Sequence, residues 1–212
     1  MKKKVLFIGA HFDDIELACA GTILEFIKLR YTIKILIISN SEIKSIENKK
    51  ILRNKITAKK EFLNSMKILG VKNYKLLDFE TNNIIFEDKL IKNIREQIDY
   101  FRPNIIFTHW EKDAHQDHRA IGQATLSAGR HVNSIIMYQS NNYISEESFN
   151  GNLFVDTSKH FKKKIKSIKC YKSELSRVKN RWIKEIENKD SHNGNLLNTK
   201  YAEKFKVIKL KY

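Results

Sequence analysis

The chain has 212 residues, a length that suits one α/β domain, and 42% are hydrophobic, too many for a disordered chain and enough for a substantial core. Its formal net charge is +16, carried mostly by lysines set among isoleucines and asparagines. That pattern argues for a compositional bias rather than a nucleic-acid reader, which would place arginines at base-reading positions and aromatics along a groove. It remains compatible with an acidic or phosphorylated small-molecule substrate.

The opening MKKKVLFIGA imitates a signal peptide, but His11, Asp13 and Asp14 interrupt the apolar run before an h-region forms. No run of about 18 apolar residues occurs, so no membrane-spanning helix is expected. Residues 4–10, all apolar or small after Lys4, read as a buried strand. Residues 15–29 show helical spacing of apolar positions. A second buried strand is predicted over 32–40, a helix over 49–69 ended by Gly70, and a short strand over 74–79. A helix over 87–101 stops before Pro103, and NIIFTHW (104–110) is the next strand. A helix over 118–130 and a strand over 134–140 follow.

The last third changes character. LFVDTS (153–158) reads as a strand end with a capping Thr157 or Ser158. Residues 159–188 predict a long lysine-rich amphipathic helix or helix pair, whose lysines read as a solvated face or, alternatively, as a peripheral contact for an anionic lipid surface. DSHNGN, with His192, reads as a solvated loop. The alternating AEKFKVIKLKY reads as a closing strand at a sheet edge. Strands alternating with helices predict a Rossmann-like, mainly parallel sheet with helices on both faces, plus a C-terminal helical and edge-strand segment, in a single domain over 1–212. Cys19 and Cys170 lie in different segments. Cys19 reads as a buried thiol, and no disulfide framework is expected, which fits a cytoplasmic location.

Open α/β sheets hold their ligands at the carboxyl ends of strands. Two strands here end in His11, Asp13 and Asp14, and in THWEKDAHQDHR (108–119) with His109, Asp113, His115, Asp117 and His118. A solvated loop is the competing reading for either segment alone, since aspartate is a common turn former. Both segments at one edge of one sheet favour a metal site. Two histidines and a carboxylate suit catalytic Zn²⁺, and the same donor set suits Fe²⁺.

AHFDDIELACAGT resembles the AHPDDxELGCGGT signature of the PIG-L/LmbE-like deacetylases, and HQDHR resembles their second signature, HPDHR. YAEKF is similar to a weaker C-terminal block of that family, so the resemblance covers almost the whole chain. It implies that His11, Asp14 and His118 are metal ligands, that Asp13 is the general base, and that His115, as an imidazolium, stabilises the oxyanion and protonates the leaving amine. It implies further that Asp117 holds His115 in place. The activity implied is zinc-dependent removal of an acetyl group from an N-acetylated amino sugar, whether free or linked to a nucleotide, lipid or glycan. Alternatives are a deacylase of a thiol-linked or antibiotic amino sugar, or a non-catalytic basic binding module.

The chain departs from the signatures at Phe12 and Gln116, which replace prolines, and at Ala18 and Ala20, where glycines are common. Of the arginines, Arg53 is nearest to one that often opens the helix ending in LG, and Glu174 stands where a glutamine is frequent. His109 and Asp113 read either as substrate contacts or as structural residues. Glu16 reads as a residue behind the ligands at a helix start.

Overall fold

A computed structural model describes residues 3–45, 47–141 and 143–211. The first apolar run forms β1 (Lys4–Gly9). Because it is buried on both faces, its side chains feed two cores in alternation. Val5 and Phe7 pack with Ile15 and Ile23 of α1 (Asp14–Lys28) and with Ala58, Phe62 and Met66 of α2 (Lys55–Leu69). Leu6 and Ile8 pack on the other face with Leu90 and Ile94 of α3 (Asp88–Phe101) and with Ile121 and Ala124 of α4 (Gln116–Ala128).

Five strands are parallel: β1, β2 (Thr32–Ser39), β5 (Tyr74–Phe79), β6 (Ile105–His109) and β7 (Ser134–Tyr138). With β8 (Leu153–Asp156) and β9 (Ala202–Lys209) added, the full sheet order is β5-β2-β1-β6-β7-β9-β8. The chain builds outward from β1 to β2 and β5, then returns to place β6 on β1's other side, with Phe7 opposite Phe107. The topological switch point therefore falls between β1 and β6, where a doubly wound sheet opens its crevice. The Rossmann-like expectation holds.

Four expectations change. The helix expected from 49 starts at Lys55, because Asn54 accepts a capping bond from the Thr57 N–H and Ile51–Arg53 becomes β4, paired with β3 (Ile43–Lys44). Residues 159–188 form no single long helix but α5 (Phe161–Ile168), α6 (Lys172–Arg177) and the start of α7 (Arg181–Asn195), broken where Lys179 and Asn180 adopt positive φ. Helix α7 runs through DSHNGN, which is helical because Ile186, Asp190 and Asn193 bury one face. Finally, β9 (Ala202–Lys209) is not an edge. β8 (Leu153–Asp156) pairs with its outer side, Leu153 opposite Phe205, and takes the edge itself. Among the described residues no helix is long and apolar enough to cross a membrane.

A buried ion cluster fastens the C-terminal elements to α1. Glu203 of β9 accepts the Gly21 and Thr22 N–H groups and the Thr22 hydroxyl. Lys164 of α5 donates to Glu203 and to Asp190 of α7, each at 2.7 Å. All three charged side chains are essentially inaccessible. Burial disfavours the Lys164 charge, yet Asp190 and Glu203 outweigh it and hold the ammonium protonated. Lys164→Met leaves two buried carboxylates without the cation that hydrogen-bonds them both, with only Lys189 nearby, and is expected to cost about 3–5 kcal/mol, read as a lower urea midpoint at unchanged slope.

Candidate metal centre

The carboxyl ends of β1 and β6 are neighbours, and each hands its chain to the start of a helix. Past Gly9 the chain carries His11 and Asp13 into α1, which opens with Asp14. Past His109 it carries Asp113 and His115 into α4. The His115 ring Nδ1 accepts the Asp117 N–H and so caps α4. Helix α4 also packs hard against the end of β6. A Cβ on Gly122 would lie 2.7 Å from the His109 carbonyl oxygen, so glycine one turn past His118 lets that histidine stack on His109 with ring centroids 3.9 Å apart.

Asp14 is the hub. Its Oδ2 accepts the His11 N–H at 2.7 Å and lies 3.2 Å from both His11 Nδ1 and His109 Nε2. Its Oδ1 accepts the Ser140 hydroxyl and lies 3.3 Å from His118 Nε2. Burial would raise the Asp14 pKa, but His118, His109 and His11 hold it well below the carboxylate range. Burial opposes charge on His11 too, yet Asp14 and Asp117 lift its pKa to about 10. Asp14 and Asp113 likewise lift His118 to about 9 against burial. His109 goes the other way, to about 4, through burial and the neighbouring His118 charge.

Among the described residues two groups of side chains could hold a metal ion: His11 with His115 and His118, and Asp14 with His109 and His118. The expected ligands are thus divided between them, with His118 common to both. Both His118 ring nitrogens are buried and lack a hydrogen-bond partner among the described residues. The nitrogen–oxygen separations of 3.2–3.3 Å around Asp14 match the roughly 3.3 Å between neighbouring ligands of a tetrahedral zinc with bonds of about 2.0–2.1 Å. The donor set fits a borderline divalent ion.

The surrounding carboxylates also fit. Asp117 Oδ2 lies 2.9 Å from His11 Nε2 and accepts the Asn82 N–H, so it orients His11 with Nδ1 toward Asp14. Asp113 Oδ1 lies 3.3 Å from His118 Nδ1 and accepts the His115 N–H. The expectation that Asp117 holds His115 is therefore corrected. Its carboxylate faces His11, and only its main-chain N–H meets His115. The expectation of an imidazolium at His115 changes as well. Burial and the charges of His118 and His11 push its pKa down, and with Nδ1 accepting, the proton sits on Nε2.

His109 is fully buried and cannot meet a substrate. Its Nε2 accepts the Ala10 N–H at 3.0 Å, beside the Tyr138 hydroxyl. Phe12 stacks on Phe62, its N–H is taken by Ser41 Oγ and its carbonyl by the Tyr171 hydroxyl, so the absence of proline leaves the peptide between His11 and Asp13 held at both ends. Glu16 is buried behind it, bonded by Ser65 and Tyr171.

Asp13 faces a cavity of about 210 Å³ with His11, Asp14, Arg53, His115, Glu174, Arg177 and Trp182 on its walls. Burial raises the Asp13 pKa to about 6 against the opposing charge of Arg53, whose Nη1 is 3.4 Å away. Arg53 is also 3.2 Å from Glu174, which Arg177 binds from the other side. In the sequence Arg53 stands out only as the arginine nearest to one that often opens the helix ending in LG, and nothing in its spacing links it to Asp13.

Fold and site together define a doubly wound α/β protein with a candidate metal centre at its switch point. The chain belongs to the PIG-L family: the family model described as GlcNAc-PI de-N-acetylase matches residues 6–129. The uncharacterized deacetylase YaiS of Escherichia coli K12 is 29% identical over 150 residues, 66% of this chain and 75% of that protein. The N,N'-diacetylchitobiose deacetylase of Pyrococcus horikoshii, solved with an inhibitor, superposes with a TM-score of 0.84 at 18% identity over 97% of this chain and 84% of that one. GalB, the 4-carboxy-2-hydroxymuconate hydratase of Pseudomonas putida KT2440, superposes at 0.81 and 14% identity over 99% and 98%.

In the metal-free protein, His11 and His118 are expected to titrate above the ordinary histidine range and His109 and His115 below it, measured by ring-nitrogen NMR. Asp14→Asn removes the charge that favours both imidazolium forms, so the His11 and His118 pKa values should fall. Four ordinary titrations would contradict the arrangement.

Proposed function

We propose that this chain is a metal-dependent deacetylase that removes the acetyl group from an N-acetylated amino sugar, with His11, Asp14 and His118 holding the ion. The observation that carries the reading is the convergence of His11 and Asp14 with Asp13 and His115 on one cavity at the switch point, with His118 buried directly behind, its Nε2 3.3 Å from Asp14 Oδ1. His109 sits as close, but its Nε2 lone pair is engaged by the Ala10 N–H, which favours His11 and His118 as the imidazole ligands. Zinc or another divalent ion in that position supplies Lewis acidity toward an acyl oxygen and makes water acidic enough to attack near neutral pH.

The protein's own groups do the rest. Asp13 takes the proton of the attacking water, and the raised pKa that burial gives it makes it a better base than an ordinary aspartate. His115 donates a hydrogen bond from Nε2–H to the acyl oxygen, and the proton that Asp13 has taken from the water passes to the departing nitrogen, which leaves as the amine. Asp117 and Asp113 fix the two imidazole ligands in their metal-binding tautomers. Trp182, Arg53 and Arg177 line the side of the cavity open to the sugar and its carrier. The free Cys19 and Cys170 are compatible with a cytoplasmic enzyme.

The test is an acetate-release screen over N-acetylated amino sugars, free and on nucleotide, lipid, glycan, thiol and antibiotic carriers, with and without a chelator. Chelator-sensitive release supports the proposal. A chain that releases no acyl group but hydrates an unsaturated acid would instead follow GalB, whose fold it shares.

Asp13→Asn is expected to keep the metal and lose roughly 10²–10⁴-fold in kcat, checked by elemental analysis beside steady-state rates. Metal binding must displace the protons that His11 and His118 carry at neutral pH, since their metal-free pKa values lie at about 10 and about 9. Affinity for Zn²⁺ should therefore rise with pH through the neutral range, by roughly ten- to a hundredfold per pH unit for one to two protons released. Calorimetry in buffers of different ionisation enthalpy measures that count.

A further inference from the structure

Residues 49–60 read KKILRNKITAKK, with six cations, no acid and no aromatic. They cover β4 and the start of α2, and their side chains divide sharply. Arg53 and Ala58 point inward, Arg53 onto Asp13. Ile51, Leu52 and Ile56 are 51%, 56% and 78% exposed, and Lys49, Lys50, Lys55, Lys59 and Lys60 are exposed around them. Ile51 and Lys49 line a groove of about 670 Å³ that shares Thr81 and Asn82 with the metal cavity, so this surface borders the mouth of the site. Acids border the patch as well: Asp78 lies 3.9 Å from Lys55, Glu80 and Glu42 pair with Lys44, and Glu47 is exposed in the turn before Lys49.

We propose that this finger, Lys49 to Lys60, docks the protein on an anionic bilayer, with Ile51, Leu52 and Ile56 entering the headgroup region and the lysines pairing with lipid phosphates. Charge complementarity selects the occupant. A second copy of the chain would bring the same cations together. A nucleic acid would match the charge but offer nothing to three projecting aliphatic side chains, and the finger has no aromatic on which a base could stack. A bilayer interface satisfies both components at once, aliphatic insertion and electrostatic attraction. The β4 backbone then holds Arg53 in the cavity while its neighbours meet the surface, which sets the cavity mouth beside the membrane plane. This docking is independent of which substrate the cavity takes.

The test is co-sedimentation of the full chain with vesicles of phosphatidylcholine and phosphatidylglycerol in equal parts, against phosphatidylcholine alone, over a salt series. Binding is expected only with the anionic vesicles, and Ile51→Ser/Leu52→Ser/Ile56→Ser should weaken it by about tenfold or more at unchanged circular dichroism. Lys49→Gln/Lys50→Gln should shift its loss to lower salt. Failure of the wild-type chain to bind anionic vesicles at physiological salt overturns the proposal. So does a triple serine variant that binds as wild type, or bound protein that polyuridylate releases with no sensitivity to the serine substitutions, which would mark a general polyanion surface. Acetate release from a soluble substrate tests the activity separately, so loss of one leaves the other standing.

Discussion

A carboxylate withdrawn from water at the first turn of a helix needs positive partners, and Asp14 meets three imidazoles. His11 comes from its own loop, His109 from the end of the neighbouring strand and His118 from the helix that follows it. The arrangement concentrates more ring nitrogens around one carboxylate than hydrogen bonding satisfies, and both His118 nitrogens are buried without a hydrogen-bond partner among the described residues. Native interiors rarely keep such atoms without a purpose. A divalent ion on Nε2, beside Asp14, with the Nδ1–H turned to Asp113, would satisfy them both, which is why the local electrostatics and the metal proposal rest on the same few distances.

The sheet topology makes that meeting possible. Parallel strands bring their carboxyl ends to one edge, and the reversal of strand order between β1 and β6 opens the only kind of gap in which two helix starts can face a common point. Close packing then sets the detail. Gly122 lets α4 press against the end of β6. Ser41 and Tyr171 hold the Phe12 peptide from two sides, a hydrogen-bonded substitute for the rigidity that a proline would bring. On the far side of α1, the Lys164–Asp190–Glu203 cluster ties α5, α7 and β9 to the same helix. The glutamate of YAEKF thus works by fastening the C-terminal elements rather than by meeting a ligand.

The same fold serves a chitobiose deacetylase and a muconate hydratase, so architecture does not choose the reaction. The choice lies in the side chains on the cavity wall. Here Glu174 stands between Arg53 and Arg177 and draws both arginines into an ion chain that ends at Asp13. That chain couples the proposed base to the part of the cavity where a substrate's variable portion would lie.

By itself, the amino-acid sequence determined the strand–helix alternation, the two-face core and the two motif segments at strand ends. These follow from local periodicity and from residue chemistry, which a linear string carries in full. Tertiary structure alone decided that Asp117 orients His11 instead of His115, that His109 is walled in against Ala10 and that Arg53 reaches Asp13. It also decided that β9 lies inside the sheet and that DSHNGN is helical. Each of these depends on which atoms come within about 3 Å across separations of roughly forty to a hundred residues, a distance that spacing along the chain does not encode.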